Sequence, residues 1–215
     1  GIGTLYTNST GSNNTALGYA ALYSNTTASN NTAVGYQSLY SNTTGAENTA
    51  LGYQAAYTAN GSGYITAVGY KAGFSLTTGT ENVLVGWQTG LGITSGANNV
   101  AVGDSAMQGT TTGGNNVAIG QNSLQNTTTS SNNTAVGFQA GYSNTTGVVT
   151  AFGYRAGYSQ TTNGIYFNTC IGYEAGYSAT GAGHTFVGHN AGRAGGNNWS
   201  TAVGYNALAA ATVSA

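Results

Sequence analysis

Asn31-Thr32-Ala33-Val34-Gly35-Tyr36-Gln37-Ser38 decides the reading of this chain, because variants of it return from one end to the other. Its glycine recurs at Gly18, Gly35, Gly52, Gly69, Gly86, Gly103, Gly120, Gly137, Gly153, Gly172, Gly188 and Gly204. The first seven spacings are 17 residues and the last four are 16, 19, 16 and 16. Thr-Ala-Val-Gly-Tyr alternates large and small residues with period two, the signature of a strand. Ser41-Asn42-Thr43-Thr44-Gly45 follows with turn chemistry. The Gln-Ala segment after the tyrosine is read as the start of a second short strand. Two strands and two turns then fill one coil, and twelve coils at the inter-strand spacing make a rod of roughly 58 Å.

The columns carry more than the rows. The residue before the glycine is large and apolar in every unit: Leu17, Val34, Leu51, Val68, Val85, Val102, Ile119, Val136, Phe152, Ile171, Val187 and Val203. One step earlier it is Ala, except at Leu84, Cys170 and Phe186. Three residues after the glycine it is always Ala, Ser or Thr. Asn lies four residues before the glycine at Asn14, Asn31, Asn48, Asn82, Asn99, Asn116, Asn133 and Asn168, a stacking that predicts an amide ladder. Aromatic columns run through Tyr19, Tyr36, Tyr53, Tyr70 and Trp87, and through Tyr23, Tyr40, Tyr57 and Phe74. Neighbouring coils suggest an Arg155–Glu174 ion pair. The fold class is therefore all-β: a parallel β-solenoid, or β-roll, of about twelve coils of 16–19 residues. Residues 1–215 form one repeat domain, with 205–215 a C-terminal tail.

A coil this short has a narrow interior that suits the small columns. Parity then sends the apolar column outward, where a continuous stripe exceeds what a lone chain tolerates. The expectation is a homo-oligomer, a trimer, with those twelve residues as the interface; the opposite parity leaves a monomer with Val inside. Asn31 to Ser38 and Asn133 to Ala140 resemble the head repeat of trimeric autotransporter adhesins, with similar repeats in phage and virus tail fibres. That resemblance implies a parallel β-roll, three chains around one axis, exposure on a cell or virion surface, and binding of host or matrix molecules.

Composition excludes several functions. There are 36 Gly, 16 Tyr, no Pro and 7 charged residues, with a net charge of −1. Aromatic content argues against disorder, and no basic cluster offers a footprint for nucleic acid. No apolar run is long enough to span a membrane as a helix. Cys170 is the lone cysteine and sits in the Ala column; His184 sits in the Asn column and His189 in the Tyr column. With Asp104 and scattered Glu residues they form no triad, acid/base pair or metal set, so the chain is read as no enzyme, with neither catalytic residue, metal nor cofactor. Candidate glycosylation sites are the sequons at Asn8, Asn25, Asn42, Asn126 and Asn144. The Tyr columns are read first as lateral packing between coils or chains, with stacking surfaces for sugars as the alternative.

The functional expectation is an extracellular structural fibre or adhesin shaft that self-assembles. One alternative is a receptor- or glycan-binding tail-fibre or adhesin head; a second is an ice-binding solenoid built on the Thr15, Thr32, Thr49, Thr66 column. The repeat starts and stops without an atypical capping unit. This suggests head-to-tail stacking into filaments, with the Gly1–Thr10 arm or the Ala209–Ala215 tail reaching into a neighbour; the competing reading is a segment cut from a longer chain that carries the caps. The irregular stretch from Gly153 to Gly188 is expected to hold the bulges, near Asn163 to Phe167.

Overall fold

A computed structural model describes residues 1–145, 147–160, 167–194 and 198–209. One sheet of 12 parallel strands runs the length of the molecule in strict sequence order. The strands are β1 (Thr15–Leu17), β2 (Thr32–Val34), β3 (Thr49–Leu51), β4 (Thr66–Val68), β5 (Val83–Val85) and β6 (Val100–Val102). They continue as β7 (Val117–Ile119), β8 (Thr134–Val136), β9 (Val148–Phe152), β10 (Phe167–Ile171), β11 (Thr185–Val187) and β12 (Thr201–Val203). Like columns pair in register, as in Thr32↔Thr49, Ala33↔Ala50 and Val34↔Leu51. The chain is thus a parallel β-solenoid with one repeat per coil.

Each coil carries one strand, not two. After the glycine the backbone turns through two left-handed residues, such as Gln37 (φ 53) and Leu39 (φ 50), in place of the second strand that the Gln-Ala segment suggested. Gln54 and Ala56, Lys71 and Gly73, and Gln139 and Gly141 repeat the pair. A non-glycine residue in this region costs about 1–2 kcal/mol. The inter-coil ladder holds it there: the N–H of Gln37 donates to the Tyr19 carbonyl (2.8 Å) and that of Leu39 to the Ala55 carbonyl (3.0 Å). These two bonds, one to the preceding coil and one to the following coil, are hard to infer from propensity, because the conformation is imposed by the neighbouring coils.

A third left-handed residue opens most strands, for example Asn30 (φ 61), Glu47 (φ 61), Asn98 (φ 58) and Asn115 (φ 57). Where β-formers Val148 and Phe167 take that column, β9 and β10 lengthen to 5 residues and pair along their whole length. The long unit therefore keeps Phe167 inside the ladder, opposite Val148. The other residues expected to bulge, Asn163 to Tyr166, lie outside the described residues.

The interior is the Ala column plus the small column, as parity required: Ala33, Ala67, Ala101, Ala118 and Ala135 are fully buried, as are Ala21, Ala55 and Ala72. It also holds larger groups. Left-handed Leu22, Leu39, Met107 and Leu124 point inward and are fully buried. Volume is traded between columns. Leu84 replaces an Ala, and its two methyl groups lie 2.8 Å from where a Cβ on Gly73 or Gly90 would sit. Phe186 fills the equivalent space beside Gly192, at 2.5 Å. Packing density inside proteins leaves no slack for both a large residue and a side chain at the facing position.

The glycine of the motif has a different reason. At Gly35 (φ 133) an added Cβ would lie 2.3 Å from the Gly52 carbonyl oxygen of the next coil. Close backbone stacking and positive φ both demand glycine there.

Candidate interaction surface

Two faces of the coil present side chains for recognition, and each grows from one strand–turn segment. On the strand, alternation turns Thr32 and Val34 outward around buried Ala33. The full interface column from Leu17 to Val203 faces out: Leu17, Leu51, Ile119, Phe152, Ile171 and Val203 are exposed and Val34, Val68, Val85, Val102, Val136 and Val187 are half-buried. The parity that places Val inside is thereby overturned. Beside this column runs the Thr column, replaced by Val83, Val100 and Val117 in the middle coils.

Around the corner stand the two aromatic columns. Tyr19, Tyr36, Tyr53, Tyr70 and Trp87 stack successively, with centroids 5.1–6.1 Å apart and planes within 12°. Tyr6, Tyr23, Tyr40, Tyr57 and Phe74 form the second stack at 5.1 Å. Both resume after a break, through Phe138, Tyr154, Tyr173, His189 and Tyr205, and through Tyr142, Tyr158 and Tyr177. Along these stacks each ring face is covered by the next ring, so a sugar cannot lie on it; the columns as a whole are not the stacking surface that the sequence suggested. Burial, and then the neighbouring Tyr177 and Tyr142, raise the Tyr158 phenol above its ordinary pKa.

The left-handed column lies between the two aromatic columns. Gln54 donates its amide to Gln37 (2.9 Å). Lys71 sits over Tyr70 and Phe74, at 5.5 and 5.2 Å from their centroids. Arg155 lies over Tyr154 and Tyr158 and donates to Gln139 (2.8 Å), so the expected Arg155–Glu174 pair does not form. Glu174 pairs instead with Arg193 at 2.7 Å, because Arg193 takes the place of a ring one coil further on. That hydrogen bond raises the guanidinium pKa of Arg193. Arg193 is exposed to water although Glu174 is buried, and solvent around the guanidinium screens the pair.

Opposite the strand corner, the Asn ladder stitches coils together where the strand has not yet begun. Asn31 Oδ1 accepts the Asn48 backbone N–H (2.9 Å), and Asn31 Nδ2 donates to the Gly45 carbonyl (3.0 Å). Asn82, Asn99 and Asn116 repeat the arrangement. His184 substitutes for an Asn. Its Nδ1 accepts the Ser200 N–H (3.3 Å) and its Nε2 lies 3.3 Å from the Thr180 carbonyl, a pairing that requires neutral imidazole with the proton on Nε2. Burial lowers its pKa below the ordinary imidazole value.

A second Asn column was mistaken for glycosylation sites. Asn25, Asn42 and Asn144 are buried. Their amide nitrogens donate to the Ala28, Gly45 and Gly147 carbonyls at 3.0, 2.8 and 2.8 Å. A folded coil has no room for a glycan on them. Only Asn8 and Asn126 of that set are exposed.

The remaining single residues behave as column members. Cys170 is buried, and burial pushes its thiol up to about 12, which keeps it protonated and inert. His189 stacks between Tyr173 and Tyr205. Among the described residues no three His, Cys, Asp or Glu side chains gather as metal ligands. Among the described residues no helix is long and apolar enough to cross a membrane. The Gly1–Thr10 segment is no free arm: Leu5 and Thr7 donate to the Ala21 and Tyr23 carbonyls (3.0 and 3.1 Å), laying it onto the next coil. Ala209 is described, but the rest of the expected assembly tail, Ala210 to Ala215, lies outside the described residues. Comparison with family models, with curated proteins and with solved structures finds no match.

Proposed function

We propose that this chain is the shaft of an extracellular fibre or adhesin, three copies of which close around the strand face. The observation that carries this reading is the unbroken outward apolar column, one large side chain on every strand from Leu17 to Val203. Twelve strands at the inter-strand spacing, and three outward columns two residues apart, give a face on the order of 700 Å². That approaches the roughly 800 Å² per partner of stable interfaces. A charge-free stripe flanked by Thr and aromatic columns has no Coulombic reason to remain apart from its copies, and burying it removes apolar area from water. The resemblance of Asn31 to Ser38 to adhesin head repeats supports three-fold closure and display on a cell or virion surface.

The test is the oligomeric state. Val102→Asn with Ile119→Asn places two amides in the stripe and leaves the buried columns intact. Light scattering should show wild-type trimers and variant monomers with unchanged β-sheet circular dichroism. A wild-type monomer at micromolar concentration overturns the reading.

A further inference from the structure

We propose that the break in the aromatic columns between Trp87 and Phe138 is a binding site for a neutral saccharide. Inside each run a ring is sandwiched by its neighbours, and the outer ends are Tyr6, Tyr19, Tyr177 and Tyr205. At the break the stacks end: Trp87 is covered on one side by Tyr70 and Phe138 on one side by Tyr154. In the second column Phe74 ends on Tyr57 and Tyr142 on Tyr158. The opposite faces of these rings look along the rod axis at coils that carry no ring. Trp87 and Phe138 are three coils apart, about 14 Å at the inter-strand spacing. Trp87 is 50% exposed. The notch thus ends each run without a covering ring and sets hydrogen-bonding side chains beside Trp87 and Phe138.

Its floor is polar and already ordered. Asp104 and Gln121 stand where the rings would be, both exposed. Asp104 accepts the Ser105 hydroxyl (2.8 Å) and the Gln121 amide (3.3 Å). Beside them an amide chain runs from Gln125 to Gln108 (2.7 Å) and from Gln108 to Gln88 (2.8 Å). Amides and a carboxylate offer both donors and acceptors, which a polyhydroxylated ring needs on its edge. The apolar C–H face of a pyranose matches an indole or phenyl face. Asp104 also sets the charge: an acidic sugar would bring its carboxylate or sulfate against this carboxylate, whereas a neutral sugar's hydroxyls donate to it.

The site lies at the rim of the proposed trimer face and does not require the trimer, so the two readings fail separately. In a Trp199→Phe background Trp87 is the one remaining tryptophan. Cellobiose, maltotriose and chitobiose are titrated singly and Trp87 emission is read. At least one should give a saturable change, weakened about tenfold or more by Asp104→Ala, as for loss of a central contact. Asp104→Tyr with Gln121→Tyr completes the ring column and should abolish binding with the β-sheet spectrum retained. Val102→Asn with Ile119→Asn should leave binding in place. The proposal is overturned if none of the three sugars saturates up to its solubility. It is equally overturned if Asp104→Ala leaves the affinity unchanged, or if sialyllactose binds more tightly than the neutral sugars.

Discussion

The coils around β6 and β7 and those on either side of them share a backbone but not a surface. In the flanks, rings stack on rings; around β6 and β7, Asp104, Gln121, Gln108 and Gln125 hold the same positions with amide and carboxylate hydrogen bonds. The Thr column changes in step, becoming Val83, Val100 and Val117 from β5 to β7. Beneath this exchange nothing moves. Gly103 and Gly120 keep the same φ (134 and 125) as Gly35 and Gly52 (133 and 139) in the flank. The Asn82, Asn99, Asn116 and Asn133 ladder is continuous through the middle. The coil is therefore specified by glycine, by the left-handed positions and by buried amides. The exterior columns are interchangeable ladders laid over it.

If that division is right, damage to the shared backbone should hurt both regions alike. Gly120→Ala would place a Cβ 2.6 Å from the Gly137 oxygen, and Gly52→Ala one 2.4 Å from the Gly69 oxygen. Each should cost more than about 3 kcal/mol in urea unfolding, or prevent folding, since backbone cannot yield as a side chain does. Gly204, which meets nothing within 4 Å, should lose only about 1–2 kcal/mol on the same change, the cost of its φ of 123. A much milder effect at Gly120 than at Gly52 would break the comparison.

A smaller effect probes the traded volume in the core. Leu84→Ala should cost about 3 kcal/mol by leaving a cavity. Adding Gly73→Ala should recover about 1 kcal/mol, because its Cβ enters space that Leu84 Cδ1 had occupied and Ala56 already adopts the same left-handed backbone (φ 49). Additive losses in thermal and urea unfolding would show that the two columns do not share volume.

The smallest effect separates the ladders by pH. The middle ladder is all amide and does not titrate. In the C-terminal flank, folded His184 binds its proton more weakly than the unfolded chain does, where the value is 6.5. Its stabilising contribution is complete above that pH and declines as pH falls below it, because protonated Nδ1 no longer accepts from Ser200. Thermal midpoints between about pH 7.5 and 5, above the carboxylate range, should therefore fall for the wild type. They should stay level for His184→Asn. An identical decline in both removes His184 as the cause.

Much of this was legible before any coordinates. Period two across Thr32-Ala33-Val34 favoured Ala as the inner face, since the column after it is never small, and left the opposite parity for the structure to decide. The stacked columns named the Asn and Tyr ladders. Arg155 was misjudged because adjacency between coils does not say which neighbour a long side chain turns to: two ring faces and Gln139 outcompete Glu174. Asn25, Asn42 and Asn144 read as surface sequons because a turn is ordinarily exposed, whereas here the coil folds the turn's amide inward to satisfy carbonyls.

Repetition by itself determined the parallel stacking and the one-dimensional order of the strands, since identical units can satisfy their backbone only on one another. Only the tertiary structure decided that Gln37 and Leu39 are left-handed, that Leu22 and Met107 enter the core, and that Asn25 and Asn42 turn their amides inward. Each of these depends on the coil above or below, whose hydrogen bonds and volume outweigh local preference by more than the kcal/mol or so that propensity supplies.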